Sequence, residues 1–279
     1  MKISRRFIVM ILTFCILSVV LELLGYLSAP FLSGPVICNN PPSAFILSYS
    51  PAAAAVITAL LFREDIRAFG WGPGKGRYYL FALLFPLVWF PLQGGVSLAL
   101  GIVIPAAPKE SWENFATFMI LFFPVLLIEC LGEEIGWRGF LVPQVMKGTG
   151  SFILVGLVTA VIWTVWHFPT PNYAWLWKNG IPQGLAIGLI SIIGMIGICL
   201  VYGWLRLASG SIWPCLLLHT VSDWTGGWPG QFLTAGPHGS STGISFVSVL
   251  PVLYSLLLAA GVIWYVKRNP VTPRQVEVS

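Results

Sequence analysis

The chain has 279 residues, of which 57% are hydrophobic and only 9% are charged, and its mean hydropathy is +0.84. A soluble domain carries about 25% charged residues. This composition therefore excludes a disordered chain, a cytosolic enzyme and a nucleic-acid-binding protein, although the net charge is +5. Because a membrane-spanning helix needs about 20 apolar residues, the length predicts an all-α membrane helix bundle that forms one domain over residues 1–279.

Runs of apolar residues predict the helices in chain order. About eight transmembrane spans are expected from run length, over residues 7–27, 43–62, 78–104, 115–145, 152–167, 184–205, 212–224 and 244–266. The longest polar stretch, from 226 to 243, is rich in Gly, Ser, Thr and Pro, which predicts a loop.

The distribution of positive charge predicts the orientation in the membrane. With eight spans and an inner N-terminus, the outer loops hold only Lys109 and Lys178 of the 15 Lys and Arg residues. Cytoplasmic loops of membrane proteins carry the excess of Lys and Arg. Both termini of this multi-pass integral membrane protein are therefore predicted to be cytoplasmic.

Ionisable residues inside the spans are the candidate functional groups, because a charge in hydrocarbon costs about 2.5–3.5 kcal/mol on insertion scales. Apart from Glu22, the acidic residues and histidines within spans fall in only three of them, the fourth, fifth and seventh. They are Glu129, Glu133, Glu134, His167, His219 and Asp223. This concentration favours a functional site over scattered structural polar residues.

Helix geometry predicts which of these groups pair. Residues four apart share a helix face, so Glu134 is expected to pair with Arg138, and His219 is expected to lie beside Asp223. Glu133 points about 100° away from Glu134 and has no basic residue three or four positions away. Glu133 is therefore the carboxylate that this spacing leaves for chemistry.

The heights of the groups along their helices agree only in part. Counted from the turn at 148–150, Glu133 and His167 lie at similar heights in an antiparallel hairpin, about 20–25 Å from the turn. His219 lies only about 12 Å from its own turn. The three heights coincide only if the turn near 147–151 projects past the membrane surface.

Two chemical interpretations of these groups stay open. A glutamate beside an imidazole can hold and deprotonate a water, and a second histidine with a carboxyl neighbour can donate hydrogen bonds to an oxyanion. Alternatively, Glu133, His167 and His219 supply two imidazoles and a carboxylate, a common catalytic zinc shell with an open water position. Because no Ser or Cys has a local nucleophile signature, water is the expected nucleophile in both cases.

Three motifs, in order along the chain, carry a family resemblance. Glu133–Gly139 resembles the EExxxR motif of the CPBP or Abi family, which includes CAAX prenyl proteases and bacteriocin-processing enzymes. Trp163–His167 is similar to the FxxxH motif of that family with Trp in place of Phe, and His219–Asp223 is similar to its HxxxN motif with Asp in the last position. The motif-bearing catalytic core covers about residues 115–225.

The resemblance implies an intramembrane endopeptidase that hydrolyses a membrane-embedded or lipid-modified, CAAX-like peptide. Carried over by position, Glu133 and His167 would activate the attacking water, and His219 with Asp223 would bind the oxyanion. Members of this family are often described as metalloproteases, and a metal-free mechanism has also been argued for some. The supporting residues are expected to be Glu134, Arg138, Glu129 and Trp163.

Two other classes of function compete with the peptidase. The first is a transporter that uses the same carboxylates as a proton relay. The second is a catalytically silent immunity or scaffold protein of the same fold. The sequence has no evident inverted repeat, which argues against the transporter, and all three motifs retain their ionisable residues, which argues against the silent protein.

Overall fold

The protein is an all-α bundle in the computed structural model, which describes residues 3–28, 31, 42–109, 111–168, 181–226, 229–237 and 246–271. Its helices are α1 (Arg5–Ser28), α2 (Pro42–Ser48), α3 (Ser50–Phe62), α4 (Gly76–Ala99), α5 (Trp112–Glu134), α6 (Val142–Thr149), α7 (Phe152–His167), α8 (Ile181–Ser209), α9 (Trp213–Gly226), α10 (Pro229–Phe232) and α11 (Phe246–Arg268). A π-helical segment, Ile135–Leu141, joins α5 to α6, and two short strands are present, β1 (Val103–Pro105) and β2 (Leu233–Ala235).

Several of these helices are long and apolar enough to cross a membrane. Among the described residues, five segments meet that condition: Arg5–Ser28, Phe45–Phe62, Gly76–Ala99, Trp112–Thr149 and Gly188–Ser209. The shorter helix α7 is also apolar. The prediction of an all-α integral membrane protein is confirmed.

The predicted third span, 78–104, was wrong at its C-terminal end. Helix α4 ends at Ala99, and Val103–Pro105 forms an antiparallel ribbon with Leu233–Ala235. The ribbon continues through the N–H of Ala106, which donates to the carbonyl of Phe232 at 2.8 Å. The described part of the polar stretch predicted as a loop therefore contains a strand. The sequence pattern did not predict this strand because its pairing partner lies far away in the sequence.

Helix α4 is fixed to α9 at its other end as well. The hydroxyl of Ser211 donates to the carbonyl of Gly72 at 2.5 Å, and the indole N–H of Trp213 donates to the carbonyl of Trp71 at 2.7 Å. These bonds hold the chain just before α4 against the start of α9. The segment before α4 is therefore bonded to the start of α9, and the segment after α4 is paired with a strand that follows α9 in the sequence.

The motif-bearing helix is much longer than a membrane is thick. The continuous segment Trp112–Thr149 has 38 residues, which corresponds to roughly 57 Å of helix, whereas the hydrocarbon core is about 30 Å thick. The helix must therefore tilt or project beyond the hydrocarbon. This length is compatible with the projecting turn near 147–151 that the predicted heights of Glu133, His167 and His219 require.

The π-helical segment changes the register within this long helix. The backbone N–H of Val142 donates to the carbonyl of Trp137, five residues earlier instead of four. The buried guanidinium of Arg206 donates through Nε to the carbonyl of Arg138 at 2.9 Å, so α8 supports the backbone of this segment. Short π segments occur frequently at functional sites.

Close backbone contact holds the same segment against α3. A Cβ added to Gly136 would lie 2.7 Å from the carbonyl carbon of Pro51, so only glycine permits this approach. The side chains of Trp137, Phe140 and Leu141 are fully buried, and Phe14 of α1 contacts the first two rings at 5.6 and 5.1 Å between ring centroids. The core of the described bundle therefore surrounds the π-helical segment.

Candidate active site

The helices α5, α7 and α9 bring the three motifs to one cavity of about 290 Å³. All four residues predicted as catalytic line this cavity: Glu133, His167, His219 and Asp223. Its apolar walls include Phe90, Met195 and Ile198. The cavity is therefore a polar pocket with an apolar surround, as expected of a small-molecule or peptide site.

Glu133 is held by neutral donors. Its Oε2 atom accepts a hydrogen bond from the indole N–H of Trp163 at 2.8 Å and another from the indole N–H of Trp137 at 3.2 Å. Both bonds reach the same oxygen, so they fix the carboxylate while Oε1 is the oxygen that remains for a water in the cavity. The side chain is half-buried.

Glu134 lies in the opposite environment, fully buried and bonded to a guanidinium and an imidazole. Its Oε1 atom contacts Nη1 of Arg138 at 2.8 Å and Nδ1 of His219 at 2.9 Å. The guanidinium of Arg138 lies between two rings, 3.7 Å from the centroid of Tyr202 and 4.3 Å from that of Trp163. The predicted pair of Glu134 with Arg138 is present, and two cation–π contacts stabilise the buried charge.

The hydrogen bonds of His167 define its tautomer. Its Nδ1 atom lies 2.8 Å from the carbonyl oxygen of Trp163. Because a carbonyl only accepts, Nδ1 carries the hydrogen, and in the neutral ring Nε2 is then the basic nitrogen. Ring contact with Trp166, at 4.7 Å between centroids, packs the imidazole against the bundle.

His219 is buried between two carboxylates. Glu134 binds Nδ1, as described above, and Nε2 lies 3.5 Å from Oδ2 of Asp223. The thiol of Cys130 contacts the same Oδ2 atom at 3.7 Å. His219 and Asp223 thus share one face of α9, as their spacing predicted, and the side chain of Asp223 is 49% exposed.

The donor atoms that converge most closely differ from the predicted zinc shell. Among the described residues, one ligand atom each of Cys130, His219 and Asp223 lies within 4.8 Å of the others. Of the predicted shell of Glu133, His167 and His219, only His219 belongs to this group. The two indole bonds to Glu133 both reach its Oε2 atom, and the shell of Glu133, His167 and His219 stays a prediction.

Residues outside the motifs complete the surroundings of the site. Glu22 is fully buried on α1, and its Oε2 accepts from the hydroxyl of Ser50 at 3.0 Å. That hydroxyl in turn accepts from the indole N–H of Trp166 at 2.9 Å. This chain ties α1 and α3 to the motif helix α7. Glu129 is half-buried one turn before Glu133, and its supporting role stays a prediction.

The sequence interpretation missed the donors that hold Glu133. Trp137 occupies the position four residues after Glu133, where the spacing argument considers only basic partners. Trp163 is predicted only as a supporting residue, and its indole N–H makes the shorter bond to Glu133. The local signal for Trp137 was its i,i+4 spacing, but no local signal identifies Tyr202 or Cys130, which reach the site through helix packing.

The fold and this site define the class: a polytopic membrane protein in which the motif residues of three helices line one cavity. A family model described as type II CAAX prenyl endopeptidase Rce1-like matches residues 115–225. The match confirms the resemblance to the CAAX prenyl protease family that the three motifs predicted for this region. No curated protein is similar enough to the chain to match it.

Proposed function

We propose that this protein is an intramembrane endopeptidase that hydrolyses a peptide bond in a membrane-associated, lipid-modified substrate of the CAAX type. One observation carries the proposal: Glu133, His167, His219 and Asp223 line a single cavity. The Rce1-like match over residues 115–225 supports the peptidase class. Both termini are proposed to lie in the cytoplasm, on the charge distribution of the loops.

In the proposed mechanism, Glu133 and His167 activate the water. Oε1 of Glu133 or Nε2 of His167 removes a proton while the water oxygen attacks the substrate carbonyl carbon. The proton then passes to the leaving amine as the C–N bond breaks. The indole bonds to Oε2 keep the carboxylate in place during both transfers, so the protein itself supplies the orientation that the water needs.

The wall of the cavity formed by His219 and Asp223 is proposed to bind the carbonyl oxygen. A His219 that carries both ring protons donates to Glu134 through Nδ1, and its Nε2–H is then available to the developing oxyanion. Asp223 lies beside that nitrogen, at 3.5 Å, and the bond of Nδ1 to Glu134 orients the ring. The apolar walls at Phe90, Met195 and Ile198 suit a substrate with a lipid or other hydrophobic group.

The decisive experiment is the substitution Glu133→Gln, which keeps the size and removes the base. The purified variant, in proteoliposomes, is tested for cleavage of a farnesylated CAAX peptide. A loss of about 100- to 10,000-fold in kcat is expected, with the apparent melting temperature unchanged. The matched control is Glu113→Gln on the first turn of α5, which should keep wild-type activity.

Two results would contradict the proposal. Retained cleavage in Glu133→Gln would exclude this carboxylate as the base. If the wild-type protein cleaves neither the farnesylated peptide nor its unprenylated form while remaining folded, the catalytically silent scaffold becomes the better interpretation of the motifs.

A further inference from the structure

Cys130 lies next to the site but outside all three motifs. It is on α5, three residues before Glu133, and its side chain is 2% exposed. Its thiol donates to Oδ2 of Asp223 at 3.7 Å across the contact between α5 and α9. The proposed hydrolysis gives this cysteine no role.

The ligand atoms around Cys130 have the spacing of a metal site. The Sγ atom lies 3.7 Å from Oδ2 of Asp223, and Nε2 of His219 lies 3.5 Å from the same oxygen. Bonds of about 2.0–2.3 Å in a tetrahedral zinc site place neighbouring ligand atoms roughly 3.3–3.7 Å apart. Two of the three edges therefore already have the required length, and all three atoms lie within 4.8 Å of one another.

The residues behind the ligands also suit a metal. Metal-binding histidines usually donate their other ring N–H to a carboxylate or a carbonyl, which fixes the tautomer and the orientation of the ring. His219 makes this bond through Nδ1 to Glu134 at 2.9 Å, and Nε2 consequently points toward Asp223 and Cys130. Asp223 is half-exposed, so an ion can enter from the cavity and keep a water as its fourth ligand.

We propose that Cys130, His219 and Asp223 form a binding site for a thiophilic divalent cation, Zn²⁺ or Cd²⁺, that inhibits the enzyme when it is occupied. A thiolate, an imidazole and a carboxylate are the ligands that such ions prefer. Binding replaces the S–H bond of Cys130 by a sulfur–metal bond and, where His219 carries both ring protons, the Nε2–H bond by a nitrogen–metal bond; the displaced protons pass to solvent. No oxidant or further reactant is needed.

Inhibition follows from the position of the site and rests on the proposed function. His219 and Asp223 form the wall that is proposed to bind the carbonyl oxygen of the substrate. An ion held by these two side chains occupies that wall and blocks the proposed contact with the carbonyl oxygen. The binding itself depends only on the three ligands.

Metal binding is tested first without any substrate. The purified full-length protein in detergent is titrated with Cd²⁺, and the ultraviolet absorption of the cadmium–thiolate bond is recorded. We expect one equivalent of this absorption in the wild type, and its loss in Cys130→Ser. The matched control is Cys199→Ser, another buried free cysteine, which should retain the absorption.

A second variant keeps the test informative if Cys130→Ser does not fold. Asp223→Asn leaves the thiol in place but replaces a carboxylate ligand by a neutral amide, and should weaken Cd²⁺ binding at least tenfold. Undiminished binding in Asp223→Asn, or a cadmium–thiolate absorption in folded Cys130→Ser equal to that of the wild type, would overturn the proposed site.

The effect on cleavage separates this inference from the proposed function. Zn²⁺ should inhibit the wild type and Cys199→Ser, and Cys130→Ser should need at least tenfold more Zn²⁺ for the same inhibition. Equal sensitivity of Cys130→Ser and the wild type refutes inhibition through this site. Cadmium–thiolate absorption without any wild-type cleavage would refute the proposed peptidase and its inhibition while retaining the metal site.

Discussion

Two adjacent glutamates of the motif helix lie in contrasting surroundings. Glu134 is fully buried and shares its charge with Arg138 and His219, at 2.8 and 2.9 Å. Glu133 is half-buried, faces the cavity and is bonded by two uncharged indoles. The two residues are one position apart, which is about 100° around the helix. The charge of Glu134 is balanced by a cation, whereas Glu133 is oriented by hydrogen bonds from uncharged groups.

The difference indicates how a membrane protein can keep one carboxylate for structure and its neighbour for chemistry. A cation next to a carboxylate stabilises the charged form and reduces its tendency to take a proton. Indole N–H groups orient the oxygen without adding a full positive charge. The arginine of the motif pairs with Glu134, and Glu133 is therefore the proposed base.

The largest effect is expected from removing the cation. Arg138→Met leaves Glu134 buried without its guanidinium, which should cost about 3–5 kcal/mol of stability. Thermal unfolding in detergent measures this loss. The matched control is Arg6→Met, whose ion pair with Glu64 has a 63% exposed arginine side chain and should contribute at most about 1 kcal/mol. Equal losses in the two variants would contradict the structural role of the buried pair.

A smaller effect is expected from removing one indole bond at Glu133. Trp163→Phe restores the residue of the FxxxH motif and keeps an aromatic ring near Arg138, but it deletes the N–H donor. A hydrogen bond to a charged group contributes about 1.5–3 kcal/mol, so kcat should fall by about ten- to a hundredfold with little change in KM.

Steady-state kinetics of Trp163→Phe measure this effect, and Trp137→Phe is the matched comparison. Its bond to Glu133 is longer, 3.2 Å against 2.8 Å, and its deletion should reduce kcat less. A fall in stability without a change in kcat would mean that the indoles only pack the helices.

The smallest effect is expected from disturbing the contact that positions the motif segment. Gly136→Ala places a methyl group against the backbone of Pro51, and such overpacking costs about 1–3 kcal/mol. Gly261→Ala on α11, where no atom lies within 4 Å of an added Cβ, is the control. Unfolding midpoints that do not differ between the two variants would refute the close helix contact.

Much of the site could be predicted from the sequence because several of its contacts join residues of the same helix. Spacing of four residues predicted the pair of Glu134 with Arg138 and the neighbours His219 and Asp223. Apolar run length predicted that these residues lie on three different helices of one bundle. The same spacing identified Glu133 as the carboxylate without a basic residue three or four positions away.

Other features depend on contacts between distant segments, which single-sequence patterns do not specify. The indole of Trp163 reaches Glu133 from another helix, and Cys130 meets Asp223 across the contact between α5 and α9. The ribbon pairs residues 103–105 with residues 233–235. These segments lie far apart in the sequence, so no hairpin turn signals their pairing. The π-helical segment also alters the helical register, and the apolar pattern shows no corresponding break.

The attachments of α4 also have a consequence for how the cavity can widen. Helix α4 contributes Phe90 to one wall, and it is tied to α9 at both ends, by the ribbon and by the bonds of Ser211 and Trp213. Proline removes a backbone donor and bends a helix, and Pro86 and Pro91 flank Phe90. Because both ends of α4 are bonded and its prolines lie near the middle, we expect any widening of the cavity to come from bending of α4 near Phe90.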